Sequence, residues 1–380
     1  MPKSRQIKQV SPGTSQSAPG GTRTPNRQGR NLLLYPLSYG RWCTPPRRTS
    51  LRFGKVTGTS GAPGERARWG YVKMAGMLQS EQVPLLAQLA ELAGKYPDEL
   101  NAQVRQFELG GRGFGAPGRP ALMGVINLSR QSWYRESISV STQAAIKRGR
   151  VLWAQGAAVI DLGAESTQSY ADDISPGDQI ASLLPVISAL SAERVLVSTE
   201  TYDPGVAQVG LAAGARVLNL TGVAYDEEMF ALAARYEAAV VICFSQGDNV
   251  RVSTVLNVGD DPIPMLIDHF EPRIERAVAA GVSRIFIDPG LGFHYENLTD
   301  GAERVRYQSQ VLLNSFRLRT LGWPICQALP RAFDFFEDNF RSAEPYFAVL
   351  AAMGRTDLLR THEVSQVNAV LSTMDVLDIQ

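Results

Sequence analysis

From Pro120 onward, short apolar runs alternate with stretches whose apolar residues recur every three to four positions, the sequence form of repeated βαβ units and a parallel sheet. The runs predict strands over 121–127, 158–163, 194–199, 215–219, 239–244, 284–288, 323–328 and, with the weakest pattern, 358–361. Between them the spacing predicts helices over 141–155, 178–191, 204–213, 227–236, 263–280, 301–320 and 343–353, with a last one over 364–373. Gly156, Gly214, Gly281 and Gly354 fall where helices should end, each suiting the left-handed position after a helix. Eight right-handed βα units close into a (β/α)8 TIM barrel, whose chemistry sits at the carboxyl ends of its strands. A doubly wound sheet would show a Gly-rich turn after its first strand. The turn here reads Asn127-Leu-Ser-Arg-Gln-Ser and carries no such fingerprint.

Ahead of the barrel, Leu78 to Phe107 places Leu85, Leu86, Leu89, Leu92 and Ala93 at helical spacing. One or two amphipathic helices are expected there, as a layer packed on one end of the barrel or as a partner-binding element. Gly110 to Pro120 reads as a linker. Residues 1–73 are rich in Pro, Gly, Ser, Thr and Arg and lack apolar periodicity, so they are expected to be disordered. The chain thus divides into a disordered basic segment (1–73), a short N-terminal helical extension with its linker (74–117) and the barrel (118–380).

Charge refines this division. The chain has 38 Lys/Arg and 37 Asp/Glu, but residues 1–73 hold 14 of the basic residues and one Glu, leaving 24 basic and 36 acidic residues in the rest. An acidic barrel does not offer a nucleic-acid groove. The basic end fits a nucleic-acid tail or a transit peptide, although its Pro and Gly oppose the helix a transit peptide prefers. Gly21 to Arg41 also resembles the translation of a transfer-RNA gene lying upstream of a coding region, which would put the start at Met74 or Met77. No uncharged apolar run approaches the ~20 residues of a membrane helix, so no membrane partner is expected. Cys43, Cys243 and Cys326 are far apart and odd in number, which argues against a disulfide framework or a structural zinc and for a reducing cytoplasm.

The strand ends supply Asn127, then Asp161 and Glu165, Glu200, Asn219, Gln246, Asp288, Arg331, and Arg360 with His362. A carboxylate facing a guanidine-like N–H pair makes a bidentate, charge-assisted contact, and the aminopyrimidinone edge of a pterin presents such a pair. Asp288 is the candidate anchor, followed by Gly290 and Gly292, which let backbone approach a flat ligand. An Asp in such a sequence also serves simply to cap a turn. Asn219 can donate and accept, as a second reader of that edge. Asn127 suits a phosphate oxygen or a metal ion, or an ordinary turn. Arg360 and His362 suit an anion. His269 reads as a helix-surface residue and His294 as a loop residue. No local metal-ligand spacing joins the three histidines, which argues against a His-bound metal.

In order, LMGVINLS (Leu122–Ser129), GAAVIDLGAEST (Gly156–Thr167), VSTETYDPGVAQVGLAAGARVLN (Val197–Asn219), Gln246-Gly247, IDPGLGF (Ile287–Phe293) and LLRTHEV (Leu358–Val364) resemble the dihydropteroate synthase and pterin-binding barrel family over nearly all of 120–370. The resemblance implies a transferase of folate biosynthesis. It condenses 6-hydroxymethyl-7,8-dihydropterin diphosphate with 4-aminobenzoate and releases pyrophosphate, with Mg2+ as the ion and a homodimer as the assembly. It implies that Asp288 and Asn219 clamp the pterin with Thr167, Gln246 and Arg331 among the substrate-binding residues. Glu200 takes the place of an Asp, and Asn127, Arg360 and His362 face the diphosphate. Asn127 is the metal-side residue, and Arg331, Arg360 and His362 are the catalytic candidates.

The departures cluster. Ser129, Arg130, Gln131, Ser132 and Trp133 replace a Thr-Pro-Asp-Ser-Phe run, Gln168 replaces an Arg, Leu220 an Asp, and Leu329-Pro330-Arg331-Ala332 a Ser-Arg-Lys ending. Arg331 either stands in for the Lys or matches the Arg with the Lys lost, and an Arg cannot serve as a neutral base. Glu200 adds one methylene, about 1.5 Å of reach, to its position. Arg130 offers a replacement for the charge missing at Gln168. Three functions therefore compete: a diverged synthase, a pterin enzyme with another acceptor such as methyl transfer from a reduced folate, and a non-catalytic pterin-binding barrel.

Overall fold

The computed structural model describes residues 83–129, 139, 141–166, 171–252, 255–256, 261–293 and 295–377, all within one compact unit, Glu81–Gln380. The expectations for residues 1–73, Arg130 to Trp133, Thr167, Gln168 and His294 lie outside the described residues.

Two helices form where the apolar spacing placed them, α1 (Leu85–Lys95) and α2 (Pro97–Asn101). Leu89, Leu92 and Ala93 are half-buried while Leu85 and Leu86 stay exposed. What docks this segment is mostly polar: the Arg317 guanidinium lies 3.9 Å over the Tyr96 ring, Arg319 Nε donates to the Ala102 carbonyl at 3.3 Å, and Arg355 donates to that of Leu100. The stretch expected as a linker begins inside an antiparallel hairpin, β1 (Phe107–Leu109) and β2 (Arg112–Phe114). Gly110 and Gly111 both take positive φ, +59° and +77°, as the two central residues of a type I′ turn must. Leu109 and Phe114 are buried against Met123, Val159, Val217 and Phe286. Phe107, Phe114 and Phe286 stack with centroids 5.2–5.8 Å apart. The hairpin therefore plugs the amino-terminal end of the barrel. Its three-residue strands are too short to show alternation, which is why the linker reading failed.

All eight expected barrel strands are present: β3 (Ala121–Asn127), β4 (Val159–Gly163), β5 (Val197–Thr201), β6 (Val217–Leu220), β7 (Ala239–Cys243), β8 (Ile285–Asp288), β9 (Cys326–Ala328) and β10 (Leu358–Thr361). They pair in parallel in the order β8-β7-β6-β5-β4-β3-β10-β9. A parallel bridge between Ile287 and Ile325 joins the two ends of the sheet. Helices α3 (Thr142–Ala154), α4 (Pro176–Ala192), α5 (Pro204–Ala212), α6 (Asp226–Arg235), α7 (Ile263–Ala279), α8 (Gly301–Asn314), α9 (Phe333–Phe336), α10 (Ala343–Met353) and α11 (Val364–Met374) connect them. Ser141, Ser175, Asp203 and Asp300 accept backbone N–H bonds at the starts of α3, α4, α5 and α8, satisfying donors that a helix start otherwise leaves open.

Two local expectations need correction. The single helix expected over 301–320 tightens after Asn314 into a 3-10 segment, Ser315–Leu321. Ser315 Oγ there donates to the Leu312 carbonyl at 2.6 Å, and Arg317 and Arg319 pair with Asp261 and Asp357 at 2.8 and 2.7 Å. Gly156, Gly214 and Gly281 take positive φ as expected, but Gly354 does not (φ −79°); Arg355 takes the left-handed position at +62° instead. Gly354 is required by space, since a Cβ there would lie 1.9 Å from the Leu312 carbonyl oxygen.

Alternation along each strand sorts the side chains. Leu122, Ile160, Leu162, Leu218, Leu220, Ile242 and Leu359 face the helices in the main core, while Met123, Val159, Val217, Val241, Phe286 and Leu358 fill the barrel interior above the plug. At the carboxyl ends, the inward positions turn polar. Among the described residues, no helix is long and apolar enough to cross a membrane.

Candidate active site

The polar end of the barrel opens into a pocket of about 710 Å³, its open mouth included. It is lined by Asn127, Glu165, Ser166, Glu200, Asn219, Thr221, Cys243, Asp288, Gly292, Phe293, Ala328, Leu329, Arg331, Arg360 and His362. Of the residues expected from sequence, Asn127, Glu200, Asn219, Asp288, Arg331, Arg360 and His362 come together here.

Gln246 does not join them. It is exposed and lines a separate outer groove with Asp268, His269, Arg273 and Arg276. Its strand, β7, ends three residues earlier at Cys243, and the chain has already turned outward. His269, expected on a helix surface, is instead partly buried in that groove, edge-on to Phe244 (4.7 Å) and 3.2 Å from Arg273. Burial, helped by Arg273, pushes its pKa down to about 4. Leu220, which the resemblance sets in place of an aspartate, is buried on the helix side of β6. That departure therefore falls on a packing position, and the pocket wall at this point is Thr221.

The floor is a chain of buried polar groups. Asp288, at the end of β8, is 3% exposed and accepts the Gly290 N–H at 2.8 Å. Burial raises its pKa to about 6, against the lowering effects of that N–H and of Arg360. Asn219 donates to Asp161 Oδ2 at 3.1 Å and accepts from the Cys243 thiol at 3.3 Å. Asp161 is fully buried, and its Oδ1 has no hydrogen-bond partner among the described residues. Arg360 donates from Nε to Asp161 (2.7 Å) and from a terminal nitrogen to Glu200 Oε2 (2.6 Å). Sequence reading placed Arg360 toward the departing anion, but two of its nitrogens are committed inward, holding a pair of carboxylates. Glu200 is buried, and its pKa is pushed up to about 7 by burial, with Arg360 opposing and Asp161 and Asp288 adding to the rise. Its extra methylene has room because Gly163 lies opposite, where a Cβ would meet Glu200 Oε2 at 2.7 Å. Three acids thus surround one guanidinium, an environment that favours a ligand bringing hydrogen-bond donors.

The rim is organised by two further ion pairs. Arg251 clasps Glu165 at 2.7 Å and Asp173 at 2.8 Å, so Glu165 is bound to protein rather than directed only at the pocket. His362, just past β10, has Nδ1 2.7 Å from Glu344 Oε1. Burial raises the pKa of Glu344, but His362 and the N–H and O–H donors around it outweigh this and hold it below the usual carboxylate range. Since an ionised carboxylate only accepts, Nδ1 carries the hydrogen. Burial, aided by Arg331 and Arg360, keeps the ring itself below the ordinary His value despite Glu344. Sequence reading missed Glu344, Asp161's bridging role and Cys243. Glu344 opens a helix, where an acidic residue reads as a complement to the helix dipole.

The pterin binding enzyme family model matches residues 123–332. The dihydropteroate synthase of Streptococcus pyogenes is 30% identical over 276 residues, which cover 69% of this chain and 98% of that protein. A probable bifunctional folylpolyglutamate synthase/dihydropteroate synthase of Halobacterium salinarum is 31% identical over 256 residues, covering 65% of this chain and 30% of that longer protein. Among solved structures, dihydropteroate synthase from Thermus thermophilus in complex with 4-aminobenzoate superposes with a TM-score of 0.58 at 27% identity, covering 72% of this chain and all of that one. The Xanthomonas albilineans enzyme with 4-aminobenzoic acid gives 0.60 at 26%, covering 71% and 97%. The barrel, its acid-lined floor and a family match spanning more than half of the chain agree: this chain belongs to the family of pterin binding enzymes.

Proposed function

We propose that this barrel is a dihydropteroate synthase-type transferase, condensing 6-hydroxymethyl-7,8-dihydropterin diphosphate with 4-aminobenzoate and releasing pyrophosphate. The observation that carries this reading is the buried pair of Asp288 and Asn219 on the pocket floor, a carboxylate and a carboxamide suited to the donor and acceptor edge of an aminopyrimidinone. The relatives' names and the structures solved with 4-aminobenzoate support the acceptor.

On this reading the pterin lies flat on Gly292 and Phe293 with its amino edge on Asp288, and its methylene points toward the rim. The methylene C–O bond breaks, its electron pair leaving with pyrophosphate. The aminobenzoate nitrogen then forms the C–N bond and gives up a proton, which the departing pyrophosphate or solvent water takes up. Arg331 and His362, on the rim, stabilise the departing charge. Arg360 acts from beneath by fixing Glu200 and Asp161. Much of the rate comes from holding the amine in line with the leaving group.

Among the described residues no cluster of three His, Cys, Asp or Glu could hold a metal, so an all-protein metal cage is not what fits. The donor chemistry suits Mg2+ held mainly by diphosphate oxygens and water, with the Asn127 carboxamide as its protein ligand. The ion would neutralise charge on the leaving group. The buried free thiols of Cys243 and Cys326 support a cytoplasmic setting. For the assembly we infer a homodimer through the face carrying Phe335, Tyr346 and Met353, each about half exposed. Sedimentation of the full chain should give twice the monomer mass, and replacing these three by Ser should return it to monomer.

Incubating the full chain with the pterin diphosphate, Mg2+ and labelled 4-aminobenzoate should yield labelled dihydropteroate. No product, with pterin binding retained, would overturn the synthase reading in favour of another acceptor or none.

A further inference from the structure

His362 lines the pocket, but what fixes it comes from another element. Glu344 opens α10 and is fully buried. Its Oε2 accepts the Thr361 hydroxyl at 2.5 Å, the His362 backbone N–H at 2.8 Å and the Glu363 N–H at 3.3 Å, which is the start of α11. Its Oε1 takes the His362 ring at Nδ1, 2.7 Å away.

Three of these four contacts need only an oxygen acceptor, and a glutamine carbonyl would serve them. Burying a carboxylate is costly unless every contact repays it, and elsewhere in this chain the same capping work is done by Ser175, which is exposed, and Asp203, which is only partly buried. Only the contact with the imidazole calls for a carboxylate: it obliges Nδ1 to keep its hydrogen on the side of Glu344, away from the pocket. Other charged groups face the ring too. Arg331 and Arg360 lie on its pocket side, the Arg148 guanidinium holds the His362 carbonyl at 3.3 Å, and Glu363 next in the chain is paired with Arg341 at 3.4 Å. Two guanidiniums beside an imidazole discourage it from donating positive character to a ligand. A carboxylate directly behind it restores that ability.

We propose that Glu344 is a positioning residue for the condensation: it fixes the ring plane of His362 and, by accepting from Nδ1, favours the doubly protonated ring whose Nε2–H donates to the diphosphate of the pterin substrate. This rests on the assignment of the pocket given above. Thr361 and the first backbone N–H groups of α11 are secured by the same carboxylate, so the imidazole and the helix start move as one body.

Glu344→Gln separates the two roles. It keeps an acceptor for Thr361 and α11 but turns an N–H toward Nδ1. Calorimetry on Glu344→Gln, His362→Ala and the double variant, titrated with inorganic pyrophosphate in Mg2+ and separately with 6-hydroxymethylpterin, tests the assignment. In Glu344→Gln, pyrophosphate should bind about tenfold more weakly, the size of one charge-assisted contact, with pterin affinity unchanged. KM for the pterin diphosphate should rise while KM for 4-aminobenzoate holds. In the His362→Ala background, Glu344→Gln should cause no further loss. Full additivity in the double variant, equal loss of pterin and pyrophosphate, or unchanged pyrophosphate binding in Glu344→Gln would each overturn the positioning role. Absence of pterin binding by the unaltered chain would instead overturn the reading of the pocket itself, and the role with it.

Discussion

Replacing Asp288 by Asn should weaken 6-hydroxymethylpterin binding by at least about thirtyfold, since truncating one side of a buried charge-assisted pair costs roughly 2–5 kcal/mol. The change is nearly isosteric, so the fold should survive: the carboxamide of Asp288→Asn keeps an oxygen for the Gly290 N–H now received by Oδ1 at 2.8 Å. What is lost is the second acceptor and the charge. The unaltered chain should show the same dependence through pH. Burial raises the Asp288 pKa to about 6, so the ionised form that accepts two N–H groups dominates above that value and pterin affinity should fall as pH drops below it. Calorimetry between pH 5 and 8 checks both statements. Equal affinity in Asp288→Asn, or a flat pH profile, would place the pterin elsewhere.

The second large effect is on stability. Arg360→Ala should cost roughly 3–5 kcal/mol, because removing one partner of a buried ion pair leaves the other charge uncompensated, and here two carboxylates, Asp161 and Glu200, lose the same guanidinium. The sign with pH follows. Burial already raises the folded-state pKa of Glu200 to about 7, and loss of Arg360 removes an influence that lowers it. A group whose folded pKa is raised favours the fold while protonated, so the deficit should be small below the unfolded pKa and should grow as pH rises through the folded value. Thermal unfolding of the variant from pH 5 to 8 should therefore show a Tm gap that widens with pH. A gap independent of pH would mean that Arg360 contributes by packing alone.

The barrel was legible because each strand is an apolar run bounded by turn residues, and because βα repetition at this spacing leaves few other folds. The level of the site was legible too, since polar residues just past strands must lie at the carboxyl end. What sequence could not give was direction and partnership. Gln246 lies only three positions beyond Cys243, yet it faces an outer groove. Leu220 directly follows a pocket residue and, by the two-residue period of a strand, points the opposite way. Arg360 was recognisable as a cation near an anion site, but its commitment to Asp161 and Glu200 spans 199 and 160 residues of sequence. Glu344 reaches His362 from a neighbouring helix. The Gly110-Gly111 turn was read as a break because the hairpin around it has only three residues per strand.

That hairpin also governs traffic. With Phe107, Phe114 and Phe286 stacked across the amino-terminal end, the described residues leave the polar cavity open at its carboxyl-end mouth and closed at its floor. Whatever sits deepest must arrive first, and the ligand above it must leave before it can escape. For a reaction of two substrates and two products, a single doorway imposes a queue, and the order of binding is written into the floor of the barrel rather than into its loops.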